Sequence, residues 1–234
     1  MNRALLKQDA KDAMRAANPH PVLVTLVFLA ITMAASIVTG IVSAITGVTS
    51  GVFMSGVSVS SSDQGASVSF VTALIVLVVS LAVTLVMGAV QFGYYVYSLK
   101  VFKHEEAGIA ELWGHFPRML KIFGLMLWMG LFTWLWSLLC FIPGIIAALR
   151  YSQAFYIMAE NPDKGIRECV NESKLLMSGR LWEYFVLVLS FILWFLLVSI
   201  TCGIATLYVT PYVSVTMAGY YLSLKPAEPA ASAE

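Results

Sequence analysis

The chain alternates between long uncharged segments and short segments in which charged residues gather. Four runs without Asp, Glu, Lys or Arg, at 21–62, 64–99, 122–149 and 184–224, are 42, 36, 28 and 41 residues long. About 20 apolar residues in a helix cross the hydrocarbon core of a bilayer. Each run is therefore long enough for at least one membrane span.

Breaks inside these runs divide them into six predicted spans. The stretch 47–69 is rich in Gly and Ser and predicts a loop, while Pro143-Gly144 and Thr201-Cys202-Gly203 predict turns. The resulting spans lie near 21–46, 70–99, 122–142, 145–160, 184–200 and 204–224. We predict an all-α polytopic membrane protein with one transmembrane domain over 1–225, a six-helix bundle, and a disordered tail at 226–234.

Composition agrees with this pattern and excludes two classes of protein. Hydrophobic residues make up 59% of the 234 residues and charged residues 12%, whereas soluble domains carry about 25% charged residues. The net charge is +1, and no basic stripe is present of the kind that phosphate backbones require. A soluble globule and a nucleic-acid partner are therefore not expected.

The basic residues predict the orientation of the spans. On the six-span layout, thirteen of the 14 Lys and Arg residues fall in segments on one side, at 1–20, 100–121 and 161–183 and at Lys225. Positively charged residues gather in cytoplasmic loops. We therefore expect a multi-pass protein of the cell inner or cytoplasmic membrane with both termini cytoplasmic.

Each charged segment also has the spacing of an amphipathic helix that lies at the membrane surface. The apolar positions are Leu6, Ala10, Ala13 and Ala17 in the first segment, Ile109, Leu112, Trp113, Phe116 and Leu120 in the second, and Ile166, Cys169, Val170, Ser173 and Met177 in the third. In the third segment Asn161 and Pro162 predict the start of the helix and Gly179 its end. A shift of 57 residues pairs Tyr94 with Tyr151, so the chain is either three repeated helix-plus-hairpin units or a chance hydrophobic alignment.

The second half of the chain resembles a family of bacterial integral membrane proteins known as domain of unknown function 975. The resemblance is weaker in the first half, where Leu6-Lys7 with Ala10 matches the family's opening. It implies a membrane topology and no activity. A more distant similarity links the chain to the membrane part of certain glycerophosphodiester phosphodiesterases, whose catalytic barrel is absent. The matching residues are Ile142-Pro143-Gly144-Ile145-Ile146, Arg150-Tyr151-Ser152, Ala159-Glu160-Asn161-Pro162-Asp163, Glu172-Ser173-Lys174, Leu176-Met177, Ser190-Phe191, Trp194 and Pro211-Tyr212.

The fourteenth basic residue, Arg150, is the strongest candidate for a binding site because it falls inside a predicted span. An unpaired charge there costs at least a few kcal/mol. Arg150 is therefore either part of a site for an anionic headgroup, carboxylate or ion, or a structural residue bonded to backbone carbonyls. Gln153, Tyr151, Gln91 and Tyr212 are its candidate neighbours.

Signals for catalysis, metals and cofactors are missing from the sequence. His104-Glu105-Glu106 and the Glu111/His115 pair have no third ligand at useful spacing. Cys140 and Cys202 fall at outer helix ends, where they either form a disulfide or pack as small residues. We expect no enzyme, no metal site and no cofactor.

Two functions fit these observations. The first is a non-enzymatic membrane protein that binds a partner protein, a lipid or a membrane-active peptide, or that assembles with a second copy of itself. The alternative is a small transporter or channel with a polar path past Arg150.

Overall fold

A computed structural model describes residues 3–17, 20–46, 70–139, 141–201 and 203–225, and every regular element in these ranges is helical. Two short 3-10 helices, Ile109–Leu112 and Phe116–Arg118, are also formed. The predicted loop at 47–69, Cys140, Cys202 and the predicted tail at 226–234 lie outside the described residues. The α-helices are α1 (Arg3–Ala16), α2 (Pro21–Thr46), α3 (Phe70–Phe102), α4 (Met119–Leu139), α5 (Phe141–Tyr151), α6 (Ala154–Glu160), α7 (Ile166–Leu176), α8 (Leu181–Leu189), α9 (Ile192–Ile200) and α10 (Thr206–Leu224).

Within the described residues, four helical stretches are long and apolar enough to cross a membrane. They are Pro21–Val42, Val76–Phe102, Met119–Leu138 and Leu181–Ile200, with mean hydropathies between 1.5 and 2.5. The last stretch comprises α8 and α9, which a break at Ser190-Phe191 separates. The coarse prediction of an all-helical membrane protein is therefore confirmed.

The other two predicted spans take a different form and are not among these four stretches. Residues 145–160 fall on two short helices, α5 and α6, which are separated at Ser152 and Gln153. Residues 204–224 fall on α10, where Pro211 lies inside the helix and removes one backbone donor. Hydroxyl-bearing side chains also make α10 less apolar than the other long helices.

Helix α5 begins at Phe141, before the predicted turn at Pro143-Gly144. Both residues lie in the first turn of α5, where proline is tolerated because its backbone N–H has no helical partner. Gly144 instead allows α5 to pack closely on α4, since a Cβ at Gly144 would lie only 2.9 Å from the Cα of Ser137 on α4.

Two of the three predicted amphipathic faces are confirmed. On α1, Leu6, Ala10 and Ala13 are buried. On α7, Cys169 and Val170 are buried together with Ser173 and Met177. The start of α7 differs from the prediction, because the first helical residue is Ile166 and the Glu168 carboxylate accepts a hydrogen bond from the Gly165 N–H at 3.0 Å. Asn161 and Pro162 belong to the preceding turn.

The predicted amphipathic helix at 106–120 is not formed as an α-helix. The chain forms the two 3-10 helices there instead. Gly114 lies between them and Pro117 lies within the second, and both residues disfavour a continuous α-helix. Leu112 is fully buried as predicted, whereas Trp113 and Leu120 are 47% and 75% exposed.

The helices are packed tightly at one end of the molecule and exposed at the other. On α3, Leu77, Val78 and Leu81 are exposed, whereas Val90, Tyr94, Tyr97 and Val101 are buried. The buried end carries the lysines near the helix termini, and we call it the basic end. The opposite end presents large apolar side chains, as a surface in contact with lipid does.

Glu160 ties three helix ends together at the basic end. Its carboxylate accepts hydrogen bonds from Lys103, just after α3, at 2.9 Å and from the Tyr221 hydroxyl of α10 at 2.7 Å, and it also pairs with Lys225. The Glu160 side chain is only 17% exposed. These contacts fix the ends of α3, α6 and α10 against one another.

The segments that were predicted to be amphipathic pack on different sets of helices. Ile109–Leu112 packs on α3 and α2, and α7 packs on α4, α5 and α6. The first segment, α1, packs on α10 and α3. Two buried clusters result: one around α1, α2, α3 and α10, and one around α3, α4, α6 and α7.

Candidate functional site

A cleft of about 110 Å³ opens between α7 and the hairpin of α4 and α5. Helix α7 contributes one wall, and the aromatic side chains of the hairpin contribute the other. Outside the cleft, α7 packs on both α4 and α5. The lining residues are Trp128 and Phe132 of α4, Tyr151 of α5, and Arg167, Val170, Asn171 and Lys174 of α7.

The wall from α7 follows from its helical spacing. Positions 167, 170, 171 and 174 are separated by three, four and seven residues, which places them on one face of the helix. Val170 is buried in the adjoining core, and the two cations and the amide are exposed. The sequence analysis identified the buried face of α7 and missed this neighbouring polar face. The sequence does contain a signal for this polar face, because Arg167 and Lys174 are seven residues apart with Asn171 between them.

Each cation of the cleft lies over an aromatic ring of the opposite wall. The Arg167 guanidinium is 5.3 Å from the ring centroid of Trp128, and the Lys174 ammonium is 5.5 Å from that of Tyr151. Aromatic faces attract cations within about 6 Å. Phe132 packs beside Trp128 with 4.9 Å between ring centroids. The aromatic wall therefore holds the two positive charges at separate places.

The acidic residues of α7 are engaged away from the cleft. Glu168 accepts the hydrogen bond from Gly165, and Glu172 accepts one from Lys164 at 2.7 Å. The hydrogen bond to Glu172 raises the pKa of Lys164. Arg167 and Lys174 form no ion pair with any carboxylate in the described ranges. The cleft therefore carries uncompensated positive charge.

The position of α7 is fixed by two contacts outside the cleft. The Ser173 hydroxyl donates a hydrogen bond to the backbone oxygen of Arg150 at 2.7 Å. Near the other end of α7, Ile166 approaches Gly124 of α4 so closely that a Cβ at Gly124 would lie 2.7 Å from the Ile166 Cδ1. These contacts make the cleft a feature of the folded core.

The cleft lies where the exposed apolar surface of α4 begins. Leu127 and Leu131 are 59% and 56% exposed, and Leu135 continues the row away from the basic end. Lys121, at the start of α4, donates a hydrogen bond to the backbone oxygen of Pro162 at 2.6 Å. The cleft therefore joins a charged end to an apolar surface.

The structure separates the residues that were predicted to surround Arg150. Tyr151 is buried and lines the cleft, whereas the Arg150 side chain is exposed and is not among the lining residues. Gln153 is fully buried and donates to the Ser152 hydroxyl at 2.9 Å. Its amide oxygen has no hydrogen-bond partner in the described part of the chain.

The other two candidates lie elsewhere. Gln91 is next to the Tyr95 hydroxyl one helical turn further along α3. Tyr212 is buried in the other core cluster, where its ring contacts Phe191 at 5.6 Å between centroids and lies 5.5 Å from the Lys11 ammonium. Of the five predicted residues, Tyr151 lines the cleft, and Arg150, Gln153, Gln91 and Tyr212 are not among its lining residues.

Other candidates for chemistry are sparse in the described ranges. No group of three or more His, Cys, Asp or Glu side chains comes close enough to hold a metal ion there. Cys169 is a free, buried thiol, and burial raises its pKa. A protonated, buried thiol is a packing residue.

Comparison with known proteins gives a family of undefined activity. A family model described as "protein of unknown function (DUF975)" matches residues 138–228. This match agrees with the resemblance inferred from the second half of the sequence. No curated protein matches the chain. No solved structure matches it either. The similarity to glycerophosphodiester phosphodiesterases therefore stays a prediction.

Proposed function

We propose that this chain is a non-enzymatic membrane protein that binds anionic lipid in the cleft between α7 and the hairpin of α4 and α5. The observation that carries the proposal is the cleft itself, in which Arg167 and Lys174 meet Trp128 and Tyr151. Cations on aromatic surfaces beside an apolar helix match the chemistry of a lipid with a phosphate headgroup.

The setting of the cleft also favours lipid over a soluble ligand. The row of exposed apolar side chains that starts at Leu127 continues from the aromatic wall. A bound headgroup would contact Arg167 and Lys174 while its acyl chains lie along α4. Arginine and aromatic side chains at this level are typical of a membrane interface.

The cleft lining favours binding over catalysis or transport. Its described residues comprise aromatic, aliphatic, amide and basic side chains, with no carboxylate, histidine or thiol to act as an acid, base or nucleophile. The Arg150 side chain is exposed and Tyr212 is buried in the other core cluster, which favours a closed core over a polar path past Arg150.

The same proposal includes six spans with both termini cytoplasmic. Under this layout α5 with α6 returns to the cytoplasmic side, and α10 does the same after α8 and α9. The basic end is then the cytoplasmic end, as the positive-inside rule requires.

We further propose that the chain consists of three related units, each an amphipathic segment followed by a hairpin. Support comes from the packing, because the second and third segments each pack on the preceding hairpin, and the first packs on α10, the last helix, as well as on α3. Gly93 approaches the second segment, next to Tyr94. Tyr151 and Tyr212 likewise lie beside α7 and α1, under Lys174 and Lys11.

Thermal unfolding in micelles that contain defined lipids tests the proposed function. A ligand that binds only the folded protein stabilises it, by roughly 2.7 kcal/mol at about one hundred times Kd. We expect phosphatidylglycerol to raise the unfolding midpoint of the protein and phosphatidylcholine to leave it unchanged.

Two double variants separate the cleft from general charge attraction. The variant Arg167→Gln with Lys174→Gln removes both cleft cations, and it should lose the stabilisation by phosphatidylglycerol. The control variant Arg15→Gln with Arg180→Gln removes two exposed charges away from the cleft lining, and it should retain it. Equal responses of the two variants would refute the proposed site.

A further inference from the structure

We infer that the cleft selects a lipid whose headgroup carries two phosphodiesters, one for each cation. This inference rests on the proposed function and specifies its ligand. It follows from the seven-residue separation of Arg167 and Lys174 along α7 and from the two different rings over which they lie.

The two cations are spaced too widely along α7 for one phosphate to pair closely with both. Arg167 and Lys174 are seven residues apart, which corresponds to about 10.5 Å along a helix axis. A single phosphate group is only about 3 Å across between its oxygens, and close charge-assisted hydrogen bonds span about 2.7–2.9 Å. Two phosphates of one headgroup match this spacing better than one.

The aromatic wall prevents the two side chains from converging without a loss of contacts. Trp128, beneath Arg167, belongs to α4, whereas Tyr151, beneath Lys174, belongs to α5. Tyr151 is only 6% exposed and cannot follow the ammonium toward Arg167. Moving both cations to one phosphate would therefore break two cation–aromatic contacts.

Asn171 supplies a polar group between the two charges. It follows Arg167 by four residues and precedes Lys174 by three, so its amide lies on the same face of α7. An amide both donates and accepts hydrogen bonds, so it can bond a hydroxyl or an ester oxygen of the group that links two phosphates. The order along the cleft is therefore cation, amide, cation.

A lipid with one phosphate would leave one cation of the cleft without an anion. The acidic side chains of α7 do not compensate it, because Glu168 and Glu172 are engaged elsewhere. A headgroup with two phosphates neutralises both cations at once and places its acyl chains toward Phe132 and the exposed row on α4.

Native mass spectrometry of the purified full chain tests the inference with two lipids of equal charge per phosphate. Cardiolipin carries two phosphodiesters, and phosphatidylglycerol carries one. At equal phosphate concentration we expect at least a tenfold preference for cardiolipin. Arg167→Gln and Lys174→Gln should each reduce cardiolipin binding to the level of phosphatidylglycerol, whereas Arg167→Lys, which retains the charge, should keep a cardiolipin preference.

The possible outcomes separate the inference from the proposed function. Equal binding of both lipids, lost in the double variant Arg167→Gln with Lys174→Gln, would overturn the two-phosphate inference and leave the proposed function standing. Failure of both lipids to bind the wild-type protein would overturn both. Displacement of cardiolipin by soluble glycerol 1,3-bisphosphate at equal concentration would show that acyl chains do not contribute, which would overturn the assignment to a lipid.

The folding of each variant is checked in the same preparation. Size-exclusion profiles should match those of the wild-type protein. Unfolding midpoints without added lipid should fall only slightly, because Arg167 and Lys174 are exposed and each Gln variant loses one cation–aromatic contact. A folded Arg167→Gln or Lys174→Gln variant that retains the tenfold preference would contradict the inference.

Discussion

A methyl group added at Gly93 has no space in the folded protein. A Cβ at this position would lie 2.5 Å from the backbone oxygen of Glu111 and 2.6 Å from the Cα of Leu112. Ordinary contacts between carbon atoms are about 3.5–4.0 Å. The backbone of the first 3-10 helix would have to move by about 1 Å, and it is anchored there by the fully buried Leu112.

The expected effect of Gly93→Ala is a loss of stability despite the higher helix propensity of alanine. Overpacking a tight contact costs about 1–3 kcal/mol. Gly130→Ala is the matched control, because Gly130 also lies within a long apolar helix and a Cβ there meets nothing within 4 Å. That control should gain about 0.5–1 kcal/mol, the ordinary gain from replacing glycine in a helix.

Thermal unfolding of both variants in the same detergent measures the difference. Since 1 kcal/mol shifts the midpoint of a protein of this size by about 2–4 °C, Gly93→Ala should unfold at least about 3 °C below Gly130→Ala. If the two variants unfold at the same temperature, or if Gly93→Ala is the more stable, the close packing of Ile109–Leu112 on α3 is wrong.

Three further predictions concern the basic end, α7 and the topology. Glu160→Gln should lower the free energy of unfolding by about 1–3 kcal/mol in chemical unfolding, because its lysine partners lose their carboxylate. Asp163→Asn is the control, because the Asp163 side chain is 98% exposed, and it should change the free energy of unfolding by less than about 0.5 kcal/mol. Cys169, in a variant whose other two cysteines are serine, should react with maleimide only after unfolding, since burial both shields the thiol and raises its pKa; fast labelling of the folded protein would contradict its placement. Cysteines introduced at 47–69 should be labelled from outside intact cells, and protection of that segment would overturn the proposed orientation.

The sequence was sufficient for the features that depend on periodicity and on charge-free length. The uncharged runs predicted the long helices, and the spacing of apolar residues predicted the buried faces of α1 and α7. Both signals are local, because a helix buries the stripe that its own sequence provides. The prediction of an α-helix at 106–120 was wrong for a local reason too. The apolar spacing there is helical, but Gly114 and Pro117 disfavour a continuous helix.

The cleft was not predictable because its parts have other plausible roles when each is taken alone. Trp128 is one of several aromatic residues on an apolar helix, and Lys174 is one charge on the polar face of an amphipathic helix. Only the packing of α7 on the hairpin brings them together with Tyr151. Arg150 is the one basic residue inside a predicted span, yet its side chain is exposed, and its backbone oxygen accepts a hydrogen bond from Ser173 of α7.

Photo-crosslinking from within the cleft tests the central claim most directly. Phe132 lines the cleft, and the matched position Phe195 is a 54% exposed side chain on α9. With benzoylphenylalanine at position 132, we predict that phosphatidylglycerol is captured in preference to phosphatidylcholine, and that Arg167→Gln with Lys174→Gln abolishes the preference. At position 195 the two lipids should be captured equally. Equal capture at position 132 in the wild-type protein would contradict an anionic-lipid site in this cleft.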